Sequence, residues 1–134
     1  MAISQKHNEF VEYIVDLTQS IGPVYSKRMF GGHGIFLDGI MFGLVFRDTF
    51  YLKVDKDSRE NYKSRGLESF SYQRQGKETH LNYFQAPDEV LDDMSVMRDW
   101  CNCAFATALR AAAKKKADPD GIYQQLPELK TADG

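Results

Sequence analysis

The amino-acid sequence predicts an α+β fold, a mainly antiparallel sheet of five to six strands with a helix before it and a long helix after it. Three observations lead to this fold class. Apolar residues recur at helical spacing near both ends of the chain. Between those ends, runs with strand character are separated by short turn signals. Because strands joined by tight turns pair antiparallel, we expect the helices to pack on one face of the sheet.

The first element is predicted to be a helix that ends at Gly22-Pro23. Either Ser4 or Asn8 supplies the residue type that caps a helix N-terminus. Its apolar residues are separated by 4, 3 and 4 positions, which places them on one face: Phe10, Ile14, Leu17 and Ile21.

Residues 24 to 54 have the character of three or four strands. Asp38-Gly39 lies between two apolar runs and is a strong signal for a two-residue hairpin turn. Arg47-Asp48 separates the next two runs. The segment from Ile40 to Phe46 is apolar throughout, which is typical of a central strand that is covered on both faces.

The second half of the chain adds a short helix, a hairpin and a long helix. Residues 55 to 65 contain helix formers, and Gly66 is predicted to end this short helix. The segments SFSYQRQ and ETHLNYF are predicted to form two strands joined around Gly76-Lys77. A helical region opens at Pro87 and runs to about residue 116. Its apolar stripe is typical of a core-facing helix: Met94, Met97, Cys101, Phe105, Ala108 and Ala112. We therefore expect one α+β domain over residues 1–117 and a polar C-terminal tail over residues 118–134.

The stretch RMFGGHGIFL, residues 28 to 37, combines bulky side chains with three glycines in four positions. A dinucleotide-binding loop is rejected because Leu37 occupies the third glycine position of the fingerprint. A P-loop is rejected because Ile40 and Met41 stand where Lys and Ser or Thr are required. The remaining interpretation is a strand that bends sharply at Gly31-Gly32, and we expect Gly32 to hold a backbone conformation closed to other residues.

The same stretch supplies the candidate site for a ligand or partner: Arg28, Phe30, Gly31, Gly32 and His33. Arg28 precedes an apolar pair in a strand that heads towards the core, so its head group must be paired with a carboxylate or must face a ligand. Both alternatives remain open on the sequence alone.

The residues favour no catalytic group, metal site or cofactor. Cys101 and Cys103 are two apart in a predicted helix, so they point to nearly opposite sides, and His7, His33 and His80 show no two-histidine helical spacing. No stretch of about 18 apolar residues predicts a membrane span. The N-terminus, MAISQKHNEF, lacks the apolar core of a signal peptide. We therefore expect a cytoplasmic protein.

From about residue 8 to residue 113 the sequence resembles the N-terminal domain of the TfoX/Sxy family. The resemblance lies in Arg28-Met29-Phe30-Gly31-Gly32 with Gly34, then in Asp38-Gly39 and Tyr51-Leu52-Lys53. It continues in SFSYQRQ, LNYFQAP and MSVMRDWCNCAFATAL. The resemblance implies an α+β domain similar to secretion chaperones, often dimeric, with a connection to the regulation of bacterial competence genes. Longer family members carry a second helical domain, so we expect a stand-alone relative without it.

Two functions follow as expectations. The first is a non-enzymatic regulatory or adaptor domain that acts through protein contacts. The second is a small-molecule-binding protein or enzyme that uses the region from Arg28 to His33. We also expect a homodimer, because Ile40 to Phe46 is apolar on both faces while the helices can cover only one. Direct DNA binding is not expected, since 19 acidic residues outnumber 17 basic ones and only Lys114 to Lys116 cluster.

Overall fold

A computed structural model describes residues 2–29 and 31–116 of the 134-residue chain. Phe30 and the tail predicted over residues 118–134 lie outside the described residues. The helices are α1 (Ala2–Thr18), α2 (Arg59–Ser64) and α3 (Met94–Lys116). The strands are β1 (Tyr25–Met29), β2 (Gly32–Leu37), β3 (Ile40–Phe46), β4 (Thr49–Lys53), β5 (Ser69–Arg74) and β6 (Lys77–Gln85).

The six strands form one sheet in the order β1-β2-β3-β4-β6-β5, and every neighbouring pair is antiparallel. The α+β fold class is therefore confirmed, with a helix at each end of the described chain. Both central residues of three hairpin turns have positive φ, as type I′ turns require. The φ values are 53° and 78° at Asp38-Gly39, 50° and 59° at Arg47-Asp48, and 53° and 78° at Gln75-Gly76. The last turn lies one residue earlier than the predicted one.

Helix α1 ends earlier than the sequence predicts, and although the predicted apolar residues all contact the main core, only Ile14 among them is buried. The residues Gln19–Ile21 form a 3₁₀ turn after Thr18. The buried side chains are Val11, Ile14 and Thr18, whereas Leu17 is only half-buried. Thr18 tolerates burial because its hydroxyl is within 2.9 Å of the carbonyl oxygens of Ile14 and Val15, which satisfies the polar group inside the core. Apolar spacing alone could not reveal this buried threonine.

Helix α3 begins at Met94, later than predicted, and a 3₁₀ turn over Asp88–Leu91 replaces its expected first turn. The carboxylate of Asp93 accepts hydrogen bonds from the backbone N–H groups of Ser95 and Val96 and so caps the helix. Half of the predicted stripe is buried, namely Met97, Cys101 and Ala108, whereas Met94 at the helix start is 54% exposed.

The main core lies between the sheet and the helices α1 and α3. It contains side chains with no exposed surface from each layer: Ile14, Ile35, Phe42, Leu52, Met97 and Cys101. None of the helices within residues 2–29 and 31–116 has the length and apolar composition needed to cross a membrane.

The opposite face of the sheet carries a second, smaller core built from Leu44, Phe70, Leu81 and Tyr83. The ring of Phe70 on β5 lies 5.3 Å from the ring of Phe46 on β3, although β4 and β6 stand between these strands. Strands three places apart in a flat sheet are about 14 Å apart, so the β5–β6 hairpin curls over this face. Leu44 is completely buried within one chain. The apolar run of β3 therefore no longer argues for a dimer at this position, and the homodimer stays a prediction.

Candidate functional site

The glycine-rich stretch forms the hairpin between β1 and β2. Arg28 lies opposite His33 and Met29 lies opposite Gly32 in the antiparallel register. Gly31, in the connection, has a φ of +78°, a conformation that strongly favours glycine. The predicted sharp turn is present, but the irregularity in the β2–β3 pairing lies at Ile35/Phe36.

Gly32 is required for a different reason from the predicted one. Its φ is not positive, because it already belongs to the extended strand β2. A Cβ atom added there would lie closer than 3.0 Å to the carbonyl oxygen of Val45 and 3.1 Å from Cδ1 of Phe46. The neighbouring strand β3 therefore approaches too closely for any side chain, and the predicted special conformation at Gly32 is wrong.

Gly34 makes room for bulky neighbours on the face opposite the helices. A Cβ atom there would lie 2.8 Å from Cε1 of Phe36 and 3.0 Å from the sulfur atoms of Met29 and Met41. The large side chains of Met29, Phe36 and Met41, which come from three different strands, thus occupy the space beside Gly34. This packing explains why large side chains and glycine residues occur together in the stretch RMFGGHGIFL.

The predicted site residues that the structure describes lie close together on the hairpin between β1 and β2. Arg28 and His33 are directly opposite, so their side chains emerge on the same face of the sheet. His33 is 8% exposed, whereas Arg28 is exposed because β1 is an edge strand. Because Arg28 is exposed, water can solvate its head group, and the choice between a carboxylate partner and a ligand stays open. Neither residue lines the grooves of residues 11–26 and 53–107 described below. A ligand or partner role for the Arg28–His33 region stays a prediction.

A cluster of exposed and half-buried rings lies beside this hairpin, on the face away from the helices. The ring of Tyr25 stacks on Phe36 at 5.6 Å with an interplanar angle of 13°, and the Lys27 ammonium lies 5.4 Å from the Phe36 ring centre. Tyr25 is 39% exposed. We call Tyr25, Lys27, Met29, Phe36 and Met41 the ring patch. The ring patch was not predicted from the sequence, although period-2 alternation along β1 places Tyr25, Lys27 and Met29 on one face.

A hydrogen-bonded group of three polar side chains lies on the β5–β6 hairpin. The Nδ1 atom of His80 is 3.1 Å from Ser69 Oγ, and its Nε2 atom is 2.9 Å from Oε1 of Glu78. A hydroxyl, an imidazole and a carboxylate therefore lie in series, but the two ring nitrogens are exchanged relative to a Ser-His-Asp triad. The His80 and Glu78 side chains are more than half exposed, however, and neither residue lines the grooves described here. The arrangement can relay a proton, but it does not position a substrate.

A groove of about 200 Å³ separates α2 from α3. Its walls include the rings of Tyr62 and Trp100, whose centres are 5.1 Å apart in an edge-to-face contact. Beside the groove, Arg110 donates a hydrogen bond of 2.8 Å to Asp55. A hydrogen bond from the backbone N–H of Ser58, with this arginine, lowers the pKa of Asp55 to about 2.

A second and larger groove, of about 520 Å³, runs between α1 and β1. Its lining combines apolar and acidic side chains: Val11, Glu12, Val15, Asp16 and Val24, with Tyr25 and Ser26. We call it the acidic cleft.

The sequence model of one protein family, described as the TfoX N-terminal domain, matches residues 16–108, which is well over half of the chain. The chain belongs to the TfoX N-terminal domain family. A search of curated proteins finds no match.

The TfoX N-terminal domain match covers all six strands, α2 and most of α3, together with the end of α1. It therefore includes the glycine-rich hairpin, the ring patch and the groove between α2 and α3. Among the described residues of this domain and of α1, no three His, Cys, Asp or Glu side chains are grouped closely enough to hold a metal ion.

Proposed function

We propose that this TfoX N-terminal domain is a non-enzymatic regulatory or adaptor module that acts through protein contacts in the control of competence genes. Family membership supports a regulatory role of this kind. The observation that carries the proposal is the ring patch, where Tyr25 stays 39% exposed although the rest of the sheet face curls into a core.

The composition of the ring patch suits recognition of another protein. Aromatic rings supply large contact areas, and methionine side chains adapt their shape to different partners. The Tyr25 ring is already held by its stack on Phe36, so little side-chain freedom is lost on binding. Isolated exposed apolar side chains are common, but a cluster on adjacent strands indicates an interaction surface.

The test uses the organism that encodes the chain. Deleting the gene should change the transcript levels of DNA-uptake genes, and a copy carrying Tyr25→Asp should fail to restore them. Leu109→Asp is the matched control, because Leu109 is similarly exposed at 43% but lies on α3. Unchanged transcripts in the deletion strain would contradict the regulatory role. Restoration by Tyr25→Asp would contradict the assignment of the contact to the ring patch.

We also propose that the domain does not bind DNA directly and that it works in the cytoplasm. The sequence has 17 basic residues against 19 acidic ones, and phosphate contacts need several cations on one face. Cys101 and Cys103 are both free thiols, in keeping with a reducing compartment. Fluorescence anisotropy at physiological salt tests the first statement, and submicromolar affinity for duplex or single-stranded DNA would contradict it.

A second candidate function, the binding of a small molecule, is favoured by the groove between α2 and α3. Its volume of about 200 Å³ exceeds that of a cavity of roughly 150 Å³ known to hold benzene. Its aromatic walls suit a planar ring, and the exposed Asn61 offers hydrogen bonds at its rim. The groove is separate from the Arg28–His33 region in which the sequence places a ligand site.

Trp100 allows a direct test because it is the only tryptophan in the chain. Titration with benzoate, benzylamine or phenol should change Trp100 emission in a saturable way if the groove binds a planar ring. Asn61→Phe should block the effect, whereas Asn102→Phe, at another exposed position, should preserve it. Emission that changes only linearly with each probe would contradict this candidate.

A further inference from the structure

The strand β1 forms one edge of the sheet. It pairs with β2 and stands first in the strand order, so within residues 2–29 and 31–116 no strand lies on its outer side. An edge strand presents backbone N–H and C=O groups that can pair with an extended peptide. The carbonyl oxygen of Val24, just before β1, already accepts a hydrogen bond of 2.9 Å from the Gln19 side chain. The edge that is open to a partner therefore begins at Tyr25.

The acidic cleft lies beside this open edge. Ser26 lines it from β1, while Val11 and Val15 line it from α1. Glu12 and Asp16 also line it from α1, where they are exposed and one helical turn apart. Two carboxylates beside an apolar lining suit a side chain with an aliphatic stem and a cationic head, which arginine and lysine provide.

The charged groups at this edge have no ion-pair partner within the part of the chain that the structure describes. This holds for Glu12 and Asp16 in the cleft and for the exposed Arg28 on β1. Side chains alternate along a strand, so Arg28 shares the face of Ser26 and lies two residues further along the edge. The edge thus offers a negative site beside Ser26 and a positive site at Arg28.

We propose that β1 accepts an extended segment of a partner protein as an additional strand, with a basic residue of that segment in the acidic cleft and an acidic residue opposite Arg28. The partner residue opposite Ser26 faces the cleft, because directly opposed residues share a face. In antiparallel pairing, the arrangement of every strand pair in this sheet, the acidic residue comes first and the basic residue follows two positions later. Main-chain hydrogen bonds supply affinity, and the two charged contacts select the sequence.

The exposed cations of β1 favour this occupant over an uncharged strand. Lys27 and Arg28 on an edge strand discourage pairing with an apolar segment. A segment that carries a carboxylate at the matching position overcomes this barrier, and its basic residue is matched by Glu12 and Asp16. The charge pattern of the edge therefore indicates a partner strand that carries both signs of charge.

The proposal goes beyond the regulatory role and does not depend on it, because purified protein and a synthetic peptide are sufficient for the test. The probe is the fluorescein-labelled peptide TTEVRTT-amide, whose β-branched residues favour the extended conformation. Its anisotropy should rise saturably with protein concentration, and its affinity should fall as salt is added. Arg28→Glu should weaken binding at least about tenfold, since it places two carboxylates opposite each other. The double variant Glu12→Lys/Asp16→Lys should do the same at the cleft.

The decisive measurement uses peptides with compensating charges. TTKVRTT should bind Arg28→Glu more tightly than TTEVRTT does, and TTEVETT should be the tighter ligand of Glu12→Lys/Asp16→Lys. Each recovery also demonstrates that the variant folds. Arg98→Glu, a charge reversal at an exposed position on α3, should bind TTEVRTT as the parent chain does.

Three results would overturn the proposal. The first is a parent chain that gives no saturable signal with TTEVRTT up to about 1 mM protein, the weak end of specific binding. The second is a variant that binds its original and its compensating peptide equally well. The third is peptide binding that is lost at high protein concentration while sedimentation velocity reports self-association, which would assign the edge to a second copy.

Discussion

Replacing Gly32 by alanine tests whether the backbone of β3 is the reason for glycine at this position. The added Cβ would lie closer than 3.0 Å to the carbonyl oxygen of Val45, a backbone atom that cannot rotate away. The two strands must separate, and overpacking of this kind costs about 1–3 kcal/mol. Alanine also restricts the unfolded chain, which offsets at most about 1 kcal/mol. We expect a net loss of about 2 kcal/mol.

For a chain of this length that loss lowers the melting temperature by about 6–10 °C. Thermal and urea unfolding followed by circular dichroism measure it. Gly39→Ala is the matched control, because Gly39 has a φ of +78° and no atom within 4 Å of an added Cβ, so only backbone strain of about 1 kcal/mol applies. Gly34→Ala should also cost less than Gly32→Ala, since the atoms in its way belong to the side chains of Phe36, Met29 and Met41 and not to the backbone. A Gly32→Ala variant no less stable than Gly39→Ala would refute this reasoning.

Three further predictions concern the core, the thiols and one carboxylate. Phe70→Ala should cost about 4 kcal/mol in urea unfolding, because the 1% exposed ring packs against Phe46 and Tyr51; a loss below about 1 kcal/mol would contradict the second core. A thiol reagent at pH 8 should modify one cysteine rapidly, since Cys103 is exposed whereas burial raises the pKa of Cys101 to about 12; rapid modification of both would contradict that burial. The lowered pKa of Asp55 stabilises the fold at pH values well above 3.8, the ordinary pKa of this carboxyl, and the stabilisation is lost as the pH falls through about 2. Asp55→Asn should therefore cost about 1 kcal/mol at pH 7, after allowance for solvent screening at a one-third exposed side chain, and almost nothing at pH 2. Equal losses at both pH values would exclude the charge as the cause.

The parts of the fold that sequence could predict depend on neighbouring residues. The turn at Asp38-Gly39 was predictable because both residue types tolerate positive φ and the flanking strands are adjacent in the chain. The long helix was predictable from its apolar period. By contrast, the pairing of β4 with β6 and the curl that brings Phe70 to Phe46 join segments distant in sequence. No local pattern contains that information.

The candidate site was predictable only as a location. Three glycines near Arg28 predicted a sharply bent strand where the structure has a hairpin, and the reason for Gly32 lies in the backbone of another strand. The exposure of Arg28 follows from the position of β1 at the sheet edge, which depends on the order of all six strands. The pair Glu78 and His80 did carry a local signal, because residues two apart in a strand share a face.

Apart from the second core, the β5–β6 hairpin is joined to the remainder of the sheet by only a narrow seam of backbone pairing. Three residue pairs join β4 to β6, and hydrogen bonds from Val54 to Asn82 and from Ala86 to Phe50 flank them. The other strand pairs are hairpins between consecutive strands. When the protein unfolds only in part, we therefore expect the sheet to divide at this seam. The β5–β6 hairpin then detaches as one cooperative unit while β1 to β4 stay paired. Amide hydrogens of β5 and β6 should then exchange together, and each opening would transiently expose Leu44 to solvent.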